Sequence, residues 1–232
     1  MKKIIILLLF TTAGFAQSLK PEDVLAKVKE KFSEVHDYEV NVDIKVDVNF
    51  LKVPDSHAKI YYKQPDKIRL KSEGFALLPK EGLNFSPYSF LQGDYTSIFD
   101  KDQDIDGYNC YHIKVIPLGD RGDLILTNLW IDKDKYIIRK IESTTKTNGT
   151  FSIDLEYGND IKYPLPSSMK FTFNVEKMQM PKEITGDFTD ENNETKDNKN
   201  KSRITTGKVF VTYSDYKVNT GLPDSIFTED AK

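Results

Sequence analysis

The side chains best placed to do chemistry form a short acidic run, DQDIDG, that begins at Asp102 and ends at Gly107. Alternating carboxylates followed by a glycine match the first half of a calcium-binding loop. The twelfth position, which must be a bidentate glutamate in that loop, is Ile113. The residues after Gly107 also alternate like a strand, whereas a calcium loop continues into a helix. We therefore interpret the run as a solvated hairpin turn, with calcium binding as the alternative.

Histidine and cysteine, the usual catalytic and metal-binding residues, are few and scattered. His36, His57 and His112 lie in separate predicted elements without metal-ligand spacing, and no serine or cysteine motif accompanies them. The single cysteine, Cys110, falls in a strand pattern and is predicted to be packed rather than reactive. The sequence thus predicts neither an enzyme nor a bound cofactor or metal.

The composition argues against a nucleic-acid-binding protein. The formal net charge is −3, from 33 Lys and Arg against 36 Asp and Glu. Both signs are interspersed along the chain, whereas a nucleic-acid-binding protein shows a basic patch. Hydrophobic residues make up 38% of the chain and aromatic residues 12%, which is enough for a substantial apolar core.

The first residues have the build of a secretory signal peptide. Two lysines precede an apolar run at residues 4–10, and the small residues Gly14 and Ala16 follow. The run is too short to span a bilayer, which takes about 20 residues. We predict a signal peptide over residues 1–16 and export to the periplasm. Cys110 lies far from the predicted cleavage site, so no lipid anchor on the mature protein is expected.

One long helix is predicted after the signal peptide. Pro21 suits the first helical position, and the acidic side chains of Glu22 and Asp23 suit the first turn. The helix should end near residue 36 and lie on the sheet, as a lid or a packing element. Its apolar stripe, at helical spacing, consists of Val24, Leu25, Val28, Phe32 and Val35.

The rest of the chain is dominated by strand patterns. Residues 38–50 are apolar at every even position and polar at every odd one, the pattern of a long strand with one dry face. Further runs occur at 58–64, 67–73, 95–99, 108–116, 124–131, 136–145, 150–157, 168–178 and 207–216. Short turn signals separate the runs, as in antiparallel hairpins. We predict a mainly β protein with a single curved antiparallel sheet of about ten strands, a half-open, incomplete barrel.

This sheet has too little predicted cover for its dry face. A helix is about 10–12 Å across and strands lie about 4.8 Å apart, so one helix covers roughly two strands. The uncovered face predicts a ligand cavity; the alternative is a closed core in which another layer buries the same residues. The candidate wall of the cavity is formed by Val40, Val42, Ile44, Val46 and Val48.

Two irregular segments interrupt the strands. Residues 74–91, GFALLPKEGLNFSPYSFL, are apolar but too rich in proline and glycine for a long regular element, which predicts a lid folded over the sheet. The candidate lid residues are Phe75, Leu77, Leu78, Leu83, Phe85, Tyr88, Phe90 and Leu91. Residues 186–202 are polar and predicted to form a flexible loop. Residues 17–232 are expected to form one domain.

Four phrases resemble a known family in their order and spacing. They are YYKQPDKIRL at 61–70, GYNCYHIKVIP at 107–117, LWIDKDKYIIRKIE at 129–142 and VTYSDYKVNTGLPDSIF at 211–227. Together with the helix and the long strand, they resemble the outer-membrane lipoprotein carrier (LolA-like) and lipoprotein-sorting family over essentially the whole mature chain. The resemblance implies a half-open antiparallel barrel whose concave apolar face is closed by helices and a loop. Family carriers hold lipoprotein acyl chains there while crossing the periplasm.

The resemblance also implies function and partners. It predicts a non-enzymatic chaperone and carrier in outer-membrane biogenesis that takes lipoproteins from an inner-membrane donor to an outer-membrane acceptor. The alternative is a lipid-sensing regulatory interaction protein of the same fold. The family typically has an arginine directly before the proline of the turn between the runs at 58–64 and 67–73, where it helps to hold the lid. Here the residue before Pro65 is Gln64. A neutral amide lacks arginine's charged fork, so a broader lipid-binding role stays open.

Overall fold

The computed structural model describes residues 20–48, 54–72, 88–119, 123–158, 162–174 and 206–228. Three predicted features lie outside these ranges: the signal peptide at 1–16, the lid residues from Phe75 to Phe85, and the polar loop at 186–202. In the described part of the chain, no helix has both the length and the apolar content that a membrane crossing requires.

The N-terminal helix, α1 (Pro21–Ser33), begins where the sequence predicts. Pro21 occupies the first turn beside the acidic Glu22, and Lys31 lies in the last turn, where a cation complements the helix dipole. The N-cap residue, Lys20, makes no side-chain capping hydrogen bond. The helix is therefore stabilised by packing of its apolar stripe on the sheet more than by its cap.

The helix ends earlier than predicted because the chain must turn into the first strand. Asn219 holds this turn: its Oδ1 accepts a hydrogen bond from the backbone N–H of His36 (2.8 Å), and its Nδ2 donates one to the carbonyl of Glu34 (2.8 Å). Val35, predicted to be helical, lies beyond the last helical residue, Ser33, but is fully buried.

The described residues form ten strands. They are β1 (Asp37–Asp47), β2 (Ser56–Lys63), β3 (Lys67–Ser72), β4 (Tyr95–Ile105), β5 (Tyr108–Pro117), β6 (Leu124–Asp132), β7 (Ile138–Thr145), β8 (Gly149–Glu156), β9 (Ser168–Asn174) and β10 (Thr206–Val218). A 3₁₀ turn, Ser89–Leu91, precedes β4, and a short helix, α2 (Ser225–Thr228), follows β10.

Strand β4 departs most from the prediction, which ended it at Phe99. The strand runs on to Ile105, and its register with β5 shifts between Phe99 and Lys101. This bulge interrupts the alternation that the sequence pattern relies on. Asp106 and Gly107 form the hairpin turn between β4 and β5, as the sequence predicts, and residues 102–105 of the acidic run belong to β4.

All ten strands form one antiparallel sheet in the order β3-β2-β1-β10-β9-β8-β7-β6-β5-β4. The first and last strands, β1 and β10, pair in the interior of the sheet, and β3 and β4 form its two edges. The sheet is not closed into a barrel. The predicted fold class, a single half-open antiparallel sheet with an N-terminal helix, is confirmed.

The contacts of α1 show how strongly the sheet curls. Near its start, Glu22 accepts a hydrogen bond from Ser97 of β4, and near its end the ring of Phe32 lies 5.7 Å from that of Tyr62 of β2. Glu22 and Phe32 are separated by about 15 Å of helix axis. On a flat sheet β4 and β2 would be about 38 Å apart. The sheet therefore wraps around α1 and presents it with a concave face.

The C-terminal segment is fastened to the strands at the β3 edge. The ammonium group of Lys63 donates to the carbonyl of Leu222 (2.7 Å) and to the carboxylate of Asp224 (2.6 Å). Lys67 makes a second ion pair with Asp224, at 3.1 Å. Both lysines lower the pKa of the Asp224 carboxyl through their hydrogen bonds.

Candidate functional site

Residues paired across antiparallel strands point to the same side of a sheet, and on the concave side most of the buried ones are apolar. The predicted wall lies on this face: Val40, Val42, Ile44 and Val48 are buried, and Val46 is partly buried against the same cluster. The neighbouring strands continue the face. Its other buried members include Ile60, Ile113, Val115, Leu129, Ile131, Ile141, Ile153, Leu155, Met169, Phe171, Phe173, Val209 and Val211.

One end of the concave face, here called the tyrosine end, is filled by aromatic rings. Tyr38 of β1 pairs with Tyr62 of β2, and their ring centroids are 5.1 Å apart. The ring of Tyr216 on β10 lies 5.7 Å from that of Tyr38. These contacts leave this end of the face closed. The tyrosine end consists of Tyr38, Tyr62, Tyr88, Tyr157, Tyr213 and Tyr216.

Three hydroxyl groups of the tyrosine end are satisfied by backbone carbonyls. Tyr88 donates to Pro164 at 3.1 Å, Tyr216 to Pro166 at 2.9 Å, and Tyr157 to Ile138 at 2.8 Å. Burial raises the pKa of Tyr62 to about 12. It likewise raises the pKa of Tyr88 well above its ordinary value. The three bonded hydroxyls are therefore neutral donors engaged within the protein.

The opposite end, here called the phenylalanine end, carries a row of rings without hydroxyls. Phe90 lies 6.4 Å from Phe151, Phe151 lies 5.4 Å from Phe171, and Phe171 stacks on Phe173 at 5.2 Å between ring centroids. The strand register places Val46 and Val209 of the central strands at the same end. This end of the concave face has the chemistry to hold a hydrocarbon.

Gly207 of β10 is part of the phenylalanine end. It pairs across the strands with Phe173, and a Cβ atom at position 207 would lie 2.5 Å from the nearest ring carbon of Phe173. No real Cβ contact is that short. The ring of Phe173 therefore lies sideways over the glycine, in space that any other residue's side chain would occupy.

A hydroxyl pair interrupts the apolar wall between β6 and β7. Thr127 and Ser143 are directly paired, their hydroxyl oxygens are 2.9 Å apart, and both side chains are fully buried. The hydrogen bond lets two polar groups lie in the wall without the penalty of an unpaired one. The sequence prediction missed this pair, although both residues fall in phase with the inward-facing Leu129 and Ile141.

The described residues of the predicted lid lie beside α1. Tyr88, Phe90 and Leu91 are all buried, and the ring of Tyr88 stacks on Phe32 with 3.8 Å between centroids. The predicted helix stripe is buried at Val24, Leu25 and Val28. The remaining lid candidates lie outside the described residues; they are Phe75, Leu77, Leu78, Leu83 and Phe85.

Gln64 contacts the end of α1, although its side-chain amide is neutral. Its side-chain amide donates to the carbonyls of Ser33 (3.1 Å) and Val35 (2.9 Å), and its backbone N–H donates to His36 (2.8 Å). The last carbonyls of a helix have no partner within the helix. Gln64 therefore satisfies two carbonyls at the helix exit and ties α1 to the β2–β3 turn.

The acidic run does not form a calcium loop. Asp102 lies within β4 and pairs with the ammonium group of Lys133 at 2.5 Å, while the Asp104 carboxylate accepts a hydrogen bond from the Gly107 backbone at 3.0 Å. Across the described ranges, no group of three or more His, Cys, Asp or Glu side chains is placed to hold a metal ion.

The buried histidine belongs to a packed cluster on the outer face. His112 stacks on Trp130 with 4.5 Å between ring centroids. Its Nε2 lies 3.1 Å from the side-chain oxygen of Asn128, and its Nδ1 lies 2.9 Å from a carboxylate oxygen of Asp100. Trp130 in turn donates to Gln103. Both ring nitrogens of His112 thus face structural partners.

The thiol of Cys110 is buried, and burial raises its pKa to about 11, so it is not poised as a nucleophile.

A buried ion pair holds the β6–β7 hairpin. Arg139 donates to one carboxylate oxygen of Asp132 from Nε (3.1 Å) and Nη2 (2.8 Å), and both side chains are almost fully buried. The other oxygen accepts from the backbone of Asp134 and Lys135. Burial acts to raise the pKa of Asp132, but the hydrogen bonds from Lys135 and Arg139 outweigh it, and the pKa is lowered.

Comparison with solved structures places the fold. A LolA superfamily protein from Nitrosomonas europaea superposes with a TM-score of 0.61 at 14% identity, covering 91% of this chain and 99% of that one. A DUF1329 family protein from Desulfovibrio piger gives 0.58 at 13% identity, with coverages of 88% and 94%. A domain from Vibrio parahaemolyticus described as an outer-membrane lipoprotein-sorting protein gives 0.55 at 14% identity, with coverages of 89% and 95%.

The likeness lies in the fold rather than in the sequence. No protein-family model matches the chain, and no curated protein matches it significantly. The three structures nevertheless cover about nine tenths of it. The chain has the LolA-like fold, as its sequence phrases predicted.

Proposed function

We propose that this protein is a periplasmic carrier that binds lipid acyl chains, chiefly those of lipoproteins, on its concave face. Binding is non-covalent, and no bond is made or broken. The observation that carries this proposal is the largely apolar concave face of the ten-stranded sheet, which wraps around the 13-residue helix α1.

The cover that the described residues supply over this face is narrow. In the described part of the chain, α1 and residues 88–91 are the elements that lie over it. A helix of this length covers about 20 Å by 10–12 Å. An apolar wall wider than these two elements is the arrangement expected of a protein that buries a hydrocarbon ligand.

The fold likeness supports the same function. Of the three similar structures, one is a LolA superfamily protein and another is described as a lipoprotein-sorting domain. Identity of 13–14% shows the fold alone, and the proposed cargo rests on the apolar chemistry of the concave face.

The two ends of the concave face indicate where the ligand lies. The tyrosine end is closed by packed aromatic rings. Three of their hydroxyls donate hydrogen bonds to the backbone carbonyls of Pro164, Pro166 and Ile138. We place the acyl chain toward the phenylalanine end, along Val46, Val209 and the phenylalanine row. Each buried methylene would contribute about 0.8 kcal/mol, so a long chain is bound tightly without any polar contact.

Release requires the cover to move. The lid candidates Phe75, Leu77, Leu78, Leu83 and Phe85, continuing into Tyr88, Phe90 and Leu91, would close over the chain beside α1. Gln64 holds the exit of α1 through hydrogen bonds to neutral carbonyls, and such bonds are individually weak. An inner-membrane donor and an outer-membrane acceptor would load and unload this site.

The experiment uses vesicles that carry a purified acylated lipoprotein. Incubation with this protein should bring the lipoprotein into solution as a complex, whereas the same lipoprotein without acyl chains should not bind. Val46→Asp, which puts a charge on the concave face, should abolish the transfer. The neighbouring exposed position provides the matched control, and Lys45→Asp should leave transfer intact. A wild-type protein that extracts no lipoprotein would refute the carrier function.

A further inference from the structure

The ring of Phe173 occupies the space that a side chain at residue 207 would need. Phe173 and Gly207 are adjacent inward-facing positions on β9 and β10. Three ring carbons lie within 3.1 Å of the point where a Cβ of residue 207 would be. With glycine the ring lies flat on β10; with any side chain there, it must rise off the sheet into the concavity.

The flat position is supported on its other side. Phe173 stacks on Phe171 with the planes at 29°, and Phe171 contacts Phe151 in turn. Phe173 is almost fully buried, so the ring is held rather than free to rotate into solvent. The position of the Phe173 ring at the phenylalanine end is therefore set by its stacking on Phe171 and by the missing side chain at Gly207.

We infer that the Gly207–Phe173 pair determines the longest acyl chain that the protein accepts. This assignment rests on the proposed function. A flat ring leaves room for the hydrocarbon along the concave face, a raised ring shortens that room, and a removed ring extends it. Aromatic rings also cover glycines in sheets for stability alone, so the test must measure chain length and not only stability.

The test measures the binding of even-numbered saturated fatty acids of increasing length by displacement of a fluorescent fatty acid. For wild-type protein, each two-carbon extension that still fits should tighten binding by about tenfold, until a length at which the gain stops. Gly207→Ala should move that limit to shorter chains by at least one member of the series. Phe173→Ala should move it to longer chains.

Two further variants separate this effect from a loss of stability. The double variant Gly207→Ala/Phe173→Ala should behave like Phe173→Ala, because no ring remains for the new methyl group to displace. Phe210 lies on the outer face of β10, so Phe210→Ala should leave the chain-length limit unchanged. Phe173→Leu serves as the milder change if Phe173→Ala does not fold, and it should also lengthen the limit.

Folded variants whose limits match wild type, or limits that move in the same direction for Gly207→Ala and Phe173→Ala, would overturn the assignment while leaving the proposed function standing. Wild-type protein that binds no fatty acid of any length would overturn both.

Discussion

The side-chain amide of Gln64 donates a 2.9 Å hydrogen bond to the carbonyl oxygen of Val35, just beyond the last helical residue of α1. With its partner bond to Ser33, it joins the helix that lies over the concave face to the turn between β2 and β3. Substitution of Gln64 therefore tests how firmly α1 is attached to the sheet.

Gln64→Ala should loosen α1 without unfolding the sheet. It removes two hydrogen bonds, each worth about 1 kcal/mol. We expect faster amide hydrogen exchange in the last turn of α1 and faster release of a bound fatty acid. Asp66→Ala, at an exposed position of the same turn, is the control and should change neither rate. Unchanged exchange in Gln64→Ala would show that the amide does not hold the helix.

Thr127→Val should destabilise the protein by about 1–3 kcal/mol, because the buried hydroxyl of Ser143 then loses its partner. The double variant Thr127→Val/Ser143→Ala removes both hydroxyls and should be closer to wild type than the single variant. Urea unfolding gives both free energies. If the two substitutions destabilise additively, the hydroxyls do not depend on each other.

Asp132→Asn should destabilise the protein by about 3–5 kcal/mol, since Arg139 is left as an uncompensated buried charge. The ion pair between Lys63 and Asp224 is more exposed and offers the control. Asp224→Asn should change the free energy of unfolding only slightly, because solvent screens the charges of this pair.

The effect of Asp132→Asn should also depend on pH. The pKa of Asp132 is lowered in the folded protein, so its stabilisation is complete above the ordinary carboxyl range and is lost as pH falls through the folded pKa. The gap in unfolding free energy between wild type and Asp132→Asn should be constant near pH 7 and shrink below about pH 4. A gap that grows in acid would contradict the lowered pKa.

Phe85→Asp tests the lid proposed from the sequence. An ionised group in a dry cavity is strongly disfavoured, so this variant should bind fatty acids more weakly while keeping its fold. Tyr157→Ser is the comparison: it removes a ring of the tyrosine end and its bond to Ile138, and should lower stability instead. If Phe85→Asp unfolds the protein and the remaining folded fraction binds normally, residue 85 belongs to a closed core and not to a lid.

The sequence predicted the parts of the fold that follow from local alternation. The even-numbered residues of β1 repeat with the period of a strand, and Val40, Val42 and Ile44 are buried as that period requires. The predicted strand at 95–99 ends six residues before β4 does, because the bulge between Phe99 and Lys101 breaks the alternating period.

The contacts that position the cover could not be predicted from local patterns. Gln64 meets the end of α1 from about 30 positions away, and Asn219 meets the same turn from the other end of the chain. Such contacts exist only once β1 lies between β2 and β10. The same holds for Phe173 and Gly207, which become neighbours through the pairing of β9 with β10.

The central claim is tested most directly by native mass spectrometry of the protein recovered from the periplasm of cells that produce it. The proposed function predicts a mass above that of the processed chain, with the difference accounted for by acyl lipid or acylated lipoprotein that organic solvent extracts. A mass equal to the bare chain, with no lipid extracted and none bound when fatty acids are added, would contradict it.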